Sequence, residues 1–421
     1  MARSAPAFSS FTAGEISPRL EGRTNIEKYQ EGLTELTNMV VMPHGGVTRR
    51  PGTEYLGEVK SSAVKTRLIP FQFKTSDTYV LEFSNQIMRV FRNDLQVLNA
   101  TDKNITAITK ANPGVLTSNS HGFSNGDEIF VDSIGGMTEL NVRNYRVANV
   151  TTNTFSLQDL FGNNINTTSF TTYTSGGTAT EIFEVAHPYT EAQLFDIRFA
   201  QSADTMYLVH PSHPVKTLTR TDHNAWSFAS LSITENSTPT LTSTNNYPSV
   251  VSFFEQRLVF GNTNNNPQTL WFSKNGDYGD FTTGTGDDKA LIYTIASNQV
   301  NAIRFLSATR VLTVGTSGGE YVLTSTNDGP VTPTTTLIRK YSNYGTAQIE
   351  PVQVADVTLF AQRGKRKIRE FKFVGDVNTG GYSAPDMTIL AEHVTEGGLV
   401  QMAFQQEPDS VVWCVRNDGT L

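Results

Sequence analysis

The chain has 421 residues, 38% hydrophobic and only 17% charged, and its 33 Lys and Arg against 40 Asp and Glu give a net charge of −7. That balance excludes a broad basic face for gripping nucleic acid, because phosphate binding needs net positive patches. A single cysteine, Cys414, excludes an intrachain disulfide framework and a cysteine-based zinc site. The opening MARSAPAFSSFTAGEIS lacks the apolar stretch of a secretory signal, and no apolar run approaches the roughly 18 residues of a membrane span. Without such a signal, the triplets at Asn104, Asn166 and Asn236 read as chance in a Thr-rich chain rather than as glycosylation acceptors.

Residues 1–60 read as an arm. Thr24 to Asn38 (TNIEKYQEGLTELTN) begins with a capping residue followed by Glu27, and its Ile26, Tyr29, Leu33 and Leu36 make a narrow apolar stripe, so a short helix is predicted. Pro43, Gly45, Gly46 and Gly52 mark two turns around a short strand, giving a hairpin. From Arg67 a unit of three alternating strands appears, RLIPFQF, YVLEFS and IMRVFR, and it returns from Leu194, Val250, Val300, Pro351 and Val400. Alternation with Val, Ile, Phe and Tyr favoured is the half-buried strand signature. The later starts lie 56, 50, 51 and 49 residues apart. Only the first interval, 127 residues, breaks the period, and leaving out the 78 residues 103–180 brings it to 49.

About fifty residues per four-stranded unit is propeller-blade spacing. The expectation is an all-β chain: a six-bladed β-propeller with an inserted small β domain and a short N-terminal helix-containing arm. Its parts are the arm 1–60, blade one in 61–102, the insert 103–180, and blades two to six in 181–421. The last blade stops at Leu421 after the beginning of its third strand. An irregular stack of hairpins is the competing reading. Ala111-Asn-Pro-Gly114 and Ser175-Gly-Gly-Thr178 are turn sequences near the two ends of the insert, where the chain can enter and leave side by side.

Motifs for chemistry are sparse. Gly315-Thr-Ser-Gly-Gly319 fits the nucleophile-elbow pattern around Ser317, but a strand, EYVLTS, follows where that motif requires a helix. His210-Pro-Ser-His213 has metal-pair spacing, yet its prolines favour a turn between strands. Phe272 to Phe281 (FSKNGDYGDF) resembles a degraded Asp-box turn; Asp277, Asp280, Asp287 and Asp288 read as solvated loop acids, with calcium as the alternative. No catalytic, cofactor or metal residues are assigned. Two basic groups stand out instead: Arg49-Arg50, and the tip Arg363-Gly-Lys365-Arg366-Lys367. They read either as a solvated face, or as docking points for an acidic neighbour or for transient contact with nucleic acid.

The segment FSSFTAGEISPRLEGRTNIEKYQEGLTELTNMVVMPHGGVTRRPGTEY resembles the opening of the tail tubular protein B family, the tail nozzle of short-tailed bacteriophages. The matching positions are Gly14, Ile16, Ser17, Pro18, Arg23, Tyr29, Asn38, Gly45, Gly46, Arg50, Pro51 and Gly52. The stretch from SVVSFFEQRLVFGN through LWFSKNGDYGDF to VLTVGTSGGEYVLTS is similar to the family's mid-chain. The insert resembles a small β module of phage structural proteins and of ubiquitin-activating enzymes, without any catalytic cysteine. The resemblance implies a structural virion protein of the phage tail, synthesised in the host cytoplasm, and not an enzyme. It further implies a homohexameric ring attached to a tail adaptor, tail fibres or tip proteins as neighbours, and double-stranded DNA passing through the lumen without specific binding. The residues by themselves leave other classes open: a glycan-binding or glycosidase propeller acting on the host surface, or a head–tail connector of another phage type.

Overall fold

The alternating segments fold as antiparallel meanders in which each strand pairs with its neighbour in sequence. The computed structural model describes residues 8–327, 329–375 and 381–421; residues 1–7 of the expected arm lie outside them. Sheet one runs Arg67–Lys74, Asp77–Phe83 and Ile87–Arg92, with Glu184–Ala186 on its outside and the short Leu95–Gln96 also paired to Ile87–Arg92. Sheet two is Arg198–Ser202, Thr205–His210, His213–Asp222 and Ala225–Ser230. Sheet three is Val250–Phe254, Arg257–Gly261, Thr269–Phe272 and Leu291–Thr294. Sheet four is Ile303–Ala308, Leu312–Thr316, Gly319–Ser325 and Thr336–Ser342. Sheet five is Val352–Val354, Val357–Ala361, Ile368–Val374 and Gly381–Ser383. Sheet six, among the described residues, is Leu399–Gln405 and Val411–Arg416.

Consecutive sheets stack face to face, and each seam encloses its own apolar core. Phe71, Leu81 and Val90 of sheet one meet Met206, Leu208 and Trp226 of sheet two. Tyr207 and Val209 on the other face of sheet two meet Leu258, Phe260 and Trp271 of sheet three. Val259 and Phe272 then meet Leu312, Val314 and Leu323 of sheet four. Phe305 and Val322 meet Phe360 and Phe371 of sheet five. Ala361 and Val352 finally meet Leu399 and Met402 of sheet six. Innermost strands lie side by side: Gln201 Nε2 donates to Gln72 O (2.7 Å), and Gln353 Nε2 donates to Ala308 O (2.7 Å). Serial stacking around inner strands is the propeller arrangement. The fold is an all-β propeller.

Two arginines brace its axial end. Arg67 Nη1 donates to Leu194 O (2.8 Å) and Ile197 O (2.7 Å), and its Nη2 lies 3.4 Å from Glu350 Oε2. Arg198 Nη1 donates to Phe195 O and Ile197 O, and its Nη2 reaches Gln348 O (2.9 Å) ahead of sheet five. Burial lowers the Arg67 pKa to about 10; Glu350 opposes that shift and the neighbouring Arg198 adds to it.

The insert is a seven-stranded sheet in the order Ala107–Ile108, Val115–Thr117, Thr154–Gln158, Arg143–Ala148, Glu128–Gly135, Ser175–Glu181 and Lys103–Asn104. Its core, around Leu116, Ile129, Val131, Tyr145 and Phe155, is separate from those of the propeller. The insert interrupts sheet one, whose outer strand Glu184–Ala186 comes after it. That corrects the expected division at residue 181, because strand pairing assigns residues 184–186 to sheet one. Asn99 N donates to Glu181 O (2.9 Å), so the chain leaves the propeller and returns at one point.

The arm departs from the expected helix over Thr24–Asn38. Only a five-residue 3-10 turn, Glu27–Glu31, forms there, after a shorter one at Pro18–Leu20. Gly32–Leu33 leaves the helical path to pair in parallel with Gly14–Glu15. A short isolated helix is marginal in water, and these two strand residues take the backbone it would have used. The hairpin Met39–Val41 with Val47–Arg49 is present. At Gly45 (φ +97) a Cβ would come within 2.9 Å of Ser10 Oγ, so the turn requires glycine.

Joining Asn99 to Glu181 through a short flexible linker should leave a soluble, folded propeller. The loss should stay below the ~3–5 kcal/mol of an orphaned buried charge, because Arg89, which faces the insert, keeps Glu184. Circular dichroism and thermal melting of the deletion variant check this. Insoluble protein would show that the propeller needs the insert to fold.

Candidate assembly surface

The arm is latched to the segment that connects sheets five and six. Ser17 N donates to Leu390 O (2.7 Å), Arg19 Nη1 pairs with Glu392 Oε1 (2.5 Å), and His393 Nε2 lies 2.7 Å from Glu15 Oε1. A cavity of about 330 Å³ remains at this junction, lined by Ser17, Pro18 and Arg19 and by Arg366, Lys367, Glu392, His393 and Glu396. Sequence patterns did not reveal the latch, since its partners lie more than 370 residues apart.

The two basic groups have different surroundings. In the tip, Arg366 Nε donates to Glu396 O (2.7 Å) and its Nη2 reaches Glu396 Oε1 (3.2 Å). Lys367 Nζ pairs with Asp386 Oδ2 at 2.6 Å. The adjoining Arg369 is buried, donating to Gln362 Oε1 and Ala384 O, with its guanidinium 3.3 Å from the centre of the Tyr344 ring. Arg363 and Lys365 point to solvent. Much of the tip's charge is therefore spent within the chain, tying the turn to residues 384–396. Arg49, in contrast, is exposed at the end of its hairpin, and Arg50, held through its N–H to Asn38 O (2.9 Å), is half-buried. Among the described residues neither side chain has an ion-pair partner, and neither lines the junction cavity. Past them, residues 51–56 are exposed, with Tyr55 73% and Leu56 48% accessible.

The other motifs resolve as scaffold. Ser317 sits in the turn between Leu312–Thr316 and Gly319–Ser325, and a strand follows. His210 and His213 close the hairpin of sheet two against Tyr189. Burial first, then the neighbouring His213, lowers the His210 pKa to about 4. Asp277 and Asp280 accept from the backbone N–H groups of Gly279 (3.2 Å) and Thr282 (2.8 Å), which makes them turn-builders. The backbone carbonyls of Asp287 and Asp288, with those of Ser273 and Lys289, hold the buried guanidinium of Arg257. Among the described residues no three His, Cys, Asp or Glu side chains are placed to hold a metal ion. No helix among them is long and apolar enough to cross a membrane.

A buried charge cluster joins the insert to sheet one. Arg89, 1% exposed, donates through Nη2 to Glu128 Oε2 (2.7 Å) and Glu184 Oε1 (2.7 Å), and through Nε to Glu184 Oε1 (2.9 Å). Arg146 also reaches Glu128, and Lys60 pairs with Glu184. Burial works against the Arg89 charge, but Glu128 and Glu184 outweigh it and raise its pKa. Glu82 faces Arg89 across the strands. Its pKa is pushed up to about 7 by burial, against the pull of Arg89 and the Lys60 N–H and with the push of Glu128 and Glu184. The one sequence signal for this cluster is the charge interrupting the apolar run IMRVF.

Residues 111–182 match the ubiquitin-activating enzyme E1 FCCH domain. No curated protein matches the chain. Among solved structures, the phage phi92 endosialidase is 12% identical with a TM-score of 0.30, and the match covers 84% of this chain and 64% of that one. The β-propeller domain of Myceliophteria thermophila Cps50 (Swd1) is 10% identical with a TM-score of 0.37, over 84% of this chain and 92% of that one. BBS1N in complex with ARL6DN is 10% identical with a TM-score of 0.32, over 85% and 90%. The propeller assignment stands on the strand order and the cores between sheets described above.

Glu82 gives the fold a pH dependence whose sign is fixed. Its folded pKa lies above the ordinary 4.5, so its contribution to stability is full below about pH 4.5 and is lost as pH rises through about 7. Glu82→Gln should raise the melting temperature at pH 8 and flatten its pH dependence between about 4.5 and 7. Thermal melts at pH 5 and pH 8 check this; an unchanged pH profile would place the ionised carboxylate in water.

Proposed function

We propose that the chain is a structural subunit of a bacteriophage tail, a nozzle that forms a ring below an adaptor and conducts double-stranded DNA during ejection. The observation that carries this reading is the arm. The segment with the nozzle-family pattern folds as an appendage outside the stacked sheets, latched at Leu390–His393, with Arg49, Tyr55 and Leu56 presented to solvent and Arg50 half-buried beside them. Propeller packing does not account for such a surface, whereas assembly does. The insert, an outlying module reached through one adjacent pair of chain crossings, suits contact with a tail fibre or a neighbouring subunit.

On this reading the protein is not an enzyme, and it acts through rigidity. Stacked sheets make a stiff wedge, and identical wedges close into a ring. A conduit works best when its wall does not hold the duplex, because phosphate contacts release counterions and would retain the cargo. The net charge of −7 favours repulsion between wall and DNA. The protein is made in the host cytoplasm and ends in the virion tail.

Native mass spectrometry of the purified chain and electron microscopy of the virion test this reading. The expected result is a closed ring and density for the chain at the tail. A chain that stays monomeric and is absent from the particle would overturn it. Changing both Arg49 and Arg50 to Ala should leave the melting temperature of the monomer unchanged while weakening ring formation, most at low salt, because high salt already screens the same ion pairs in the unsubstituted chain. Normal rings from this variant would return the two arginines to a solvated face.

A further inference from the structure

Among the described residues, no apolar core joins the arm to the propeller: none of residues 8–50 belongs to the six cores of the molecule. Within that stretch only Ser17 and Gly45 are buried. The direct hydrogen bonds and ion pairs between the two parts are those of the latch, Ser17 N to Leu390 O, Arg19 to Glu392 and Glu15 to His393. Arg19 stays 78% exposed in its pair, and the cavity of about 330 Å³ leaves the junction loosely filled. Water can replace each of these contacts, so opening the latch gives up no apolar core.

The arm is tied together by more bonds than tie it down. Gly14–Glu15 pairs with Gly32–Leu33, and Ile16 N donates to Leu33 O (3.0 Å). Phe11 N donates to Gly45 O (2.7 Å), Leu36 N to Glu15 Oε2 (2.7 Å) and Arg50 N to Asn38 O (2.9 Å), so the segments from Phe11 to Arg50 form one unit. Residues 51–59 then carry no regular structure and no hydrogen bond between main-chain groups among the described residues. At their far end Lys60 is anchored by Glu184, on the outer strand of sheet one. A tether of this length reaches up to ~30 Å when extended.

We infer that the arm is a releasable strap: residues 8–50 leave the segment Leu390–His393 as one unit, turning on residues 51–59, while the propeller stays folded. Regions with few buried apolar contacts open at the low end of a protein's range of local stabilities, and the arm is such a region. Release frees Glu15 and Arg19 on one side and Glu392 and His393 on the other. Both halves of the clasp stay complementary, which is the condition for exchanging arms between copies. The strap goes beyond the nozzle reading and does not depend on ring formation.

Residue-resolved hydrogen exchange on the full chain tests this. The Ser17 N–H, bonded to Leu390 O, reports the latch; the Ile16 N–H, bonded to Leu33 O, reports the arm's own structure; Arg257–Gly261 reports the propeller. The Ser17 amide is expected to exchange about tenfold or more faster than the other two. It should exchange faster still at about 1 M salt, where the screening length falls to about 3 Å. Glu392→Arg, which sets two cations against each other, should speed Ser17 exchange about threefold or more, and adding Arg19→Glu should restore the original rate. Ser17 exchange at the rate of Arg257–Gly261 would show an arm that opens only with the propeller, and would overturn the inference. Ser17 and Ile16 exchanging together, ahead of the propeller, would mean that the arm unravels instead of leaving as a unit, which also overturns it. So would a folded Glu392→Arg chain with unchanged Ser17 exchange, since the latch would then not be what holds the arm. None of these outcomes bears on whether the chain forms rings, so the nozzle reading stands or falls separately.

Discussion

A β-sheet that is apolar on both faces is stable only between two neighbours, and this constraint organises the molecule. Sheets two, three and four bury their middle strands on both sides, so each is a wedge with no solvent face of its own. Sheet one differs, keeping Leu68 and Val80 exposed on one face. The periodicity of the sequence reflects the same rule. Each fifty-residue unit supplies one wedge, and the next unit supplies its cover.

The buried arginines tie stacked sheets together. Arg67 and Arg198 aim most of their donors at backbone carbonyls of the Leu194–Ile197 turn, which ties sheet one to the start of sheet two, and Arg198 also reaches Gln348 ahead of sheet five. Arg257 does the same for the 273–289 loop. A guanidinium held by several carbonyls fixes a loop without needing a partner carboxylate. Arg89 follows another logic, binding two carboxylates from opposite sides of the insert boundary. It makes a rigid joint where chain connectivity alone would leave a hinge.

Strands were legible because alternation is local: a residue's side of the sheet is set by its neighbour two positions away. The insert was legible as a break in the period, although the return of Glu184–Ala186 to sheet one was not, since that strand is too short to alternate visibly. The arm misled for a physical reason. Thr24, Glu27 and the stripe Ile26, Tyr29, Leu33 and Leu36 satisfy helix rules, but the pairing of Gly32–Leu33 with Gly14–Glu15 is decided at long range. The same distance hid the Arg19–Glu392 and His393–Glu15 contacts and the internal pairing of Arg366 and Lys367. Local pattern reports which residues want burial; it does not say which charges will find each other.

Composition has its own place in the seams. With only 17% of residues charged, the chain relies on Thr, Ser and Asn, and some of these lie inside rather than on the surface. Ser307 Oγ and Thr358 Oγ1 meet at 2.9 Å in the buried seam between sheets four and five. A hydroxyl can donate and accept, so a Ser–Thr pair satisfies itself when buried, whereas a Lys or Glu would need a counter-charge. Threonine also carries the β-branch that favours strands. The low charge that argued against a nucleic-acid grip is therefore also what allows polar residues into the contacts between wedges. A chain built this way stacks its sheets with few fixed charges between them.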